Sequence, residues 1–116
     1  MRGNVVRDKS FTFALRVVKL AEYLRRNKKE FVLSRQALRS GTAIGALIRE
    51  AEHAQSKADF VSKMSIALKE ANETEYWIDL LHQSNYIDDK NYKSIHPDIV
   101  ELLKLLVSIV KTSRNH

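Results

Sequence analysis

The sequence predicts an all-α protein: an antiparallel up-down-up-down four-helix bundle, built as one domain over residues 1–116. Three observations carry the prediction. Only three glycines and one proline interrupt 116 residues dominated by helix formers. Apolar residues recur at steps of three and four in four separate stretches. The segments between those stretches, near 28–32, 55–57 and 85–88, are short, and short connections join antiparallel neighbours. Hydrophobic residues make up 44% of the chain, which suits one modest core. Residues 1–8 and 114–116 are expected as flexible ends.

The first helix is expected from about Lys9 to Asn27, with Phe11, Ala14, Val17, Val18, Ala21 and Leu24 as its apolar face. The second runs from about Leu33 to Ala54, where Leu33, Ala37, Ile44, Leu47, Ile48 and Ala51 share one arc of a 3.6-residue wheel. Gly41 and Gly45 on this helix suit a close approach to a neighbour. The third has the clearest seam: Phe60, Met64, Ala67, Ala71, Thr74, Ile78 and Leu81 alternate steps of four and three. Ser56 and Asp59 mark its start as an N-cap and a first-turn acid. Asp88-Asp89 is a plausible cap for a fourth helix. Pro97 lacks an amide donor and its ring crowds the preceding turn. An interruption near Pro97 is therefore expected, with a short turn over about 89–95, His96 in that turn, and a long helix over about 97–113.

The fourth helix carries a surplus of apolar residues. Between 98 and 112, nine of fifteen residues are large aliphatics. A bundle helix buries an arc of little more than 100°. The excess predicts an exposed apolar face and hence self-association, with Leu102, Leu103, Leu105, Leu106, Ile109 and Val110 as the interface.

The chain holds 20 Lys and Arg against 14 Asp and Glu. Residues 1–39 hold 11 basic and 3 acidic residues, net +8, and residues 40–116 hold 9 and 11, net −2. Such asymmetry marks either an anionic partner or pairing between the two ends inside the fold. With no cysteine, disulfides and thiolate zinc sites are excluded, which fits a cytoplasmic protein. The longest oily segment, Ile99 to Val110, falls short of the roughly 20 residues of a membrane span, and residues 1–9 hold no apolar stretch long enough for a signal peptide, so none is expected.

Catalytic chemistry finds little support. A Gly-x-Ser-x-Gly elbow and a phosphate-binding glycine loop are both missing from the sequence. A di-metal carboxylate site would need two Glu-x-x-His pairs. Glu50 with His53 is one, Asp79 with His82 an imperfect second, and His53 falls opposite Ile44 and Ala51. No metal, cofactor or catalytic residue is therefore expected. A basic face is the stronger signal: Arg16, Lys19, Tyr23 and Arg26 on helix one, Arg35, Arg39 and Arg49 on helix two. Arginines beside an aromatic suit phosphate contact and base stacking. Glu75 shares an arc with Met64, Leu68 and Ala71, so it needs a cationic partner, Arg39 or Arg35.

The stretches Arg39-Ser40-Gly41-Thr42-Ala43-Ile44-Gly45-Ala46-Leu47-Ile48-Arg49-Glu50-Ala51, Ala54-Gln55-Ser56-Lys57-Ala58-Asp59-Phe60 and Lys63-Met64-Ser65-Ile66-Ala67-Leu68-Lys69-Glu70-Ala71, followed by Glu73, Glu75 and Tyr76-Trp77, resemble the four-helix-bundle proteins encoded in 23S rRNA intervening sequences. The resemblance covers about residues 10–112. It implies an antiparallel bundle, commonly a homopentamer, with no established activity for most members. A distantly similar bundle, the accessory factor of diversity-generating retroelements, forms a ring and binds nucleic acid, so RNA binding is an expectation by analogy. Arg39, Glu50, Glu73 and Glu75 match the family's recurrent polar positions. Leu47 stands where the family usually has Asn, and Arg49 where an acid or alanine is common. The expected function is a non-enzymatic, homo-oligomeric assembly or protein-interaction scaffold. The alternative is an RNA- or DNA-binding module.

Overall fold

A computed structural model describes residues 2–115 as four helices: α1 (Arg2–Asn27), α2 (Leu33–Ala51), α3 (Lys57–Gln83) and α4 (Asp89–Arg114). Met1 and His116, within the ends expected to be loose, lie outside the described residues. The connections are five residues each. Five residues span at most about 18 Å, whereas a 26-residue helix is about 39 Å long, so each helix must turn back beside its predecessor. The cross-helix pairs descend accordingly. On α3 and α4, His82 meets Asp89, Asp79 meets Tyr92 and Glu75 meets His96. α1 and α4 close the ring of four, approaching each other less closely than the other adjacent pairs.

Helix starts are set by side chains that accept the unpaired first-turn amides. Ser56 accepts from the Asp59 N–H at 3.0 Å, and Asp88 from the Asn91 N–H at 2.8 Å. α2 has no cap from its own first residue. Glu30, only 8% exposed, reaches forward and accepts from the amides of Val32, Leu33 and Ser34 at 3.1, 2.9 and 2.7 Å. Burial pushes this carboxyl up, and the three N–H bonds outweigh it and hold it below its ordinary range. The carboxylate also faces the positive end of the α2 dipole.

α2 and α3 bury the residues their periodicity predicts. Leu33, Leu47 and Phe60 sit half-buried against the core, and the rest of both sets is buried. α1 differs. It starts at Arg2 rather than Lys9, and Val6, Ser10, Phe13, Val17, Ala21 and Leu24 form its buried face. Phe11 and Val18, expected inside, are half exposed. The true seam begins at Val6 and steps to 10, 13, 17, 21 and 24, which turns Phe11 outward. α4 also differs, running without a break through Pro97. Pro97 is exposed, so water reaches the carbonyls its ring disturbs. Next to the Lys93 carbonyl, which Pro97 leaves without an amide donor, the Ser94 carbonyl accepts from Arg16 Nη1 at 2.9 Å.

The surplus of α4 is mostly absorbed within the subunit. Leu102, Leu106 and Val110 are buried, so they are not available to another copy. Leu103, Leu105 and Ile109 are half-buried against the core. The arc is wide because α4 faces two neighbours: Leu103 lies one heptad beyond His96 on the α3 side, and Leu105 one heptad beyond Asp98 on the α1 side. Of its large aliphatics, Val107 remains open.

The α2–α3 seam is polar at its centre. Arg39 bonds Glu70 at 3.2 Å and Glu73 more closely, and the Trp77 indole N–H donates to Glu73 at 2.9 Å. Beneath them the buried hydroxyls of Ser40 and Thr74 lie 2.9 Å apart. Arg39 therefore pairs with Glu70 and Glu73, not with Glu75 as expected. Glu70, Glu73 and Trp77 follow one another at helical spacing toward α2; Glu75, two residues past Glu73, is rotated by about 200° and faces α4. The Trp77 and Arg39 hydrogen bonds hold the Glu73 carboxyl below its ordinary value of 4.5. A lowered folded pKa adds stability above the unfolded value, and that stability is lost as pH falls through the folded one. Glu73→Gln should therefore cost about 0.5–1.5 kcal/mol at pH 7, the cation being half exposed. It should also flatten the decline of stability below about pH 4.5, measured by urea unfolding followed through Trp77, the single tryptophan.

α1 and α2 approach closely at two glycines. A Cβ on Gly41 would lie 2.9 Å from both methyls of Val17, while one on Gly45 would meet Ser10 Oγ at 3.4 Å. Val17 is itself buried and has nowhere to move. Gly41→Ala should lower stability by about 1–3 kcal/mol. Gly45→Ala should be neutral or stabilising by up to about 1 kcal/mol through helix propensity. Thermal unfolding of both variants checks the contrast.

Candidate functional site

The charge asymmetry resolves in part into pairs within the fold, which take up four of the eleven basic residues of the first third. Arg7 meets Glu52, Lys9 meets Glu101, Arg16 meets Asp98 and Arg39 meets Glu70 and Glu73. Each basic partner comes from the positive first third and each acid from the remainder. These pairs are partly exposed, so each adds little stability, and they offset only part of the charge of the basic end.

The seven residues expected to form one basic face are spread over four places. Arg16, Lys19 and Tyr23 line a groove between α1 and α4 with a floor of Leu20, Ile87 and Ile95. Arg16 is already tied to Asp98 and to the Ser94 hydroxyl, each at 2.7 Å. Arg39 belongs to the α2–α3 seam. Arg49 stacks its guanidinium 5.1 Å from the Phe11 ring centroid. Arg26 and Arg35 lie at the α1–α2 corner, where Arg25, Lys29 and the exposed Phe31 join them. The separation has a simple cause: the residues follow two helices around their circumference, and the rotation of α1 carries its members toward α4.

An apolar strip lies on the outside of α1. Phe11, Leu15 and Val18 are 50, 51 and 40% exposed and follow one another at steps of four and three. Two of the three, Phe11 and Val18, are residues that periodicity assigned to the core.

A second cluster was missed by sequence reasoning. Along the α3–α4 seam the rings of His82, Tyr92 and His96 stack in a column, with centroids 4.0 and 4.8 Å apart. Carboxylates flank it. His82 Nε2 is 2.7 Å from Asp89, Tyr92 donates to Asp79 at 2.7 Å, and His96 Nε2 is 3.0 Å from Glu75. The bond to Asp79, reinforced by burial, pushes the Tyr92 hydroxyl up to about 12. The bond from His82 holds Asp89 below its ordinary value. The signal was present in the spacing: Tyr92 and His96 are four apart, as are Glu75 and Asp79. A helix read as broken before Pro97 hid it. Glu50 and His53, the Glu-x-x-His spacing weighed and set aside in the sequence, are exposed, Glu50 at the end of α2 and His53 just beyond it.

No helix among the described residues is long and apolar enough to cross a membrane. The family described as 23S rRNA-intervening sequence protein matches residues 2–108. Among solved structures, the chain is similar to a protein of unknown function from the S23 ribosomal protein family of Bacteroides thetaiotaomicron VPI-5482. The two are 59% identical, the match covers 96% of this chain and 99% of that one, and the TM-score is 0.93. No curated protein matches. With the family's pattern running through all four helices, the chain belongs to the 23S rRNA-intervening sequence protein family.

Proposed function

We propose that this chain is a non-enzymatic, self-assembling scaffold whose subunits meet through the outer strip of α1. The half-exposed Phe11, Leu15 and Val18 carry this reading. Contiguous apolar side chains on a small soluble protein mark an interaction surface, and covering each of these recovers roughly 1 kcal/mol. A homopentamer is the assembly proposed. A closed ring of five needs two complementary faces, since its contacts are head-to-tail. Ile66 and Tyr76 of α3 and Val107 of α4, all about half exposed, offer apolar positions for the second. Light scattering on the eluting protein at micromolar concentration should give an oligomer. Leu15→Lys with Val18→Glu should give a monomer with unchanged helical circular dichroism. A wild-type chain that is strictly monomeric there rejects the scaffold.

A second reading, binding to RNA, is favoured by one observation. At the α1–α2 corner, Phe31 is 53% exposed among Arg25, Arg26, Lys29 and Arg35. A ring amid guanidiniums supplies a stacking platform with phosphate contacts. If four phosphates are contacted, single-stranded RNA affinity should fall roughly 50-fold between 50 and 200 mM salt. Phe31→Ala should weaken it at either salt. Fluorescence anisotropy measures both, and no binding at low salt removes this reading.

A further inference from the structure

The continuity of α4 past Pro97 places His96 on the face turned toward α3. Its Nε2 lies 3.0 Å from Glu75 Oε2 and 3.8 Å from Asp79 Oδ1. Glu75 and Asp79, four apart on α3, present their carboxylates side by side, and one ligand atom from each of the three residues lies within 4.8 Å of the others. We propose that Glu75, Asp79 and His96 form a binding site for a divalent transition metal, zinc above all, that clamps α3 to α4.

The distances suit the ion. Ligand atoms held tetrahedrally at roughly 2.0–2.2 Å from zinc lie about 3.4 Å from one another. The His96 distances of 3.0 and 3.8 Å bracket that separation, and the two carboxylate oxygens, within 4.8 Å of each other, have to be drawn together by the ion. The donor set decides the class of metal. One imidazole with two carboxylates suits a borderline ion such as zinc, whereas magnesium and calcium select all-oxygen shells. Two carboxylates and a neutral imidazole carry a charge of −2, which balances the dication. All three residues are half-buried, which strengthens the attraction while leaving a fourth position open to water.

Tyr92 supplies the outer support. Its hydroxyl donates to Asp79 Oδ1 at 2.7 Å and its ring stacks on His96 at 4.8 Å between centroids, so one side chain orients two ligands. A plain His–carboxylate ion pair would use the same atoms, and the two differ in their response to metal.

Titrating zinc chloride into the full chain by calorimetry, at pH 7.5 after chelator treatment, should show one equivalent bound per chain with a dissociation constant in the micromolar range or tighter. Zinc should raise the melting temperature, and cobalt(II) should give a visible absorption band of tetrahedral intensity. His96→Gln and Glu75→Gln, each checked for native helical content, should abolish all three signals. Tyr92→Phe should weaken binding about 10-fold. His53→Gln, exposed at the end of α2, should change nothing. Absence of stoichiometric zinc binding overturns the proposal, as does binding that survives in His96→Gln or disappears in His53→Gln.

Discussion

The close approach of α1 to α2 governs the rest of the molecule. Val17 sits against Gly41 where any side chain would collide, so α1 is drawn onto α2. The same helix lies farther from α4. The α1–α4 side opens into a groove floored by Leu20, Ile87 and Ile95 and bridged at the rim by Arg16 to Asp98 and Lys9 to Glu101. Polar bridges are what a wider gap permits: long side chains span it where methyl groups would leave voids. The half-buried state of Leu105, on the α1-facing side of α4, has the same origin.

Internal pairing changes what the charge means. A net +8 over the first third reads as an electrostatic footprint when the chain is treated as a line. In three dimensions, antiparallel packing sets α1 beside α4 and α2 beside α3, and the acids of the later helices fall opposite the cations of the earlier ones. Part of the charge therefore registers helices against one another. What stays concentrated is the α1–α2 corner with Phe31, where the chain turns and no later helix supplies acids to the lysines and arginines crowded there.

The readable parts of the fold were those in which one periodic signal acted alone. α2 and α3 have a single dominant apolar arc, and Ser56 and Asp88 cap as their neighbours imply. α1 was misread by a fraction of a turn because it carries two apolar sets. Val6, Phe13, Val17 and Leu24 face the core, while Phe11, Leu15 and Val18 face out. Periodicity detects both and cannot say which is buried. That ambiguity is itself informative, since a helix with two apolar faces has one to spare. The Glu75 partner was misassigned for a related reason: sequence placed the acid on a helix face, and only the packing order shows that this face meets α4 rather than α2.

Pro97 ties the local geometry to the chemistry. Inside a helix, proline removes one hydrogen bond and crowds the carbonyl one turn earlier, at a cost of about 3 kcal/mol or more. α4 is continuous nonetheless, because Asp88 caps its start, Ile95 and Ile99 bury on either side of the proline, and Arg16 takes up the neighbouring Ser94 carbonyl. Burial of those two side chains contributes roughly 3–6 kcal/mol, which offsets the loss. Had residues 89–95 formed a turn instead of the first turns of α4, Tyr92 and His96 would not share a face. The column of His82, Tyr92 and His96 and its flanking carboxylates therefore exists because tertiary packing outweighs a local preference.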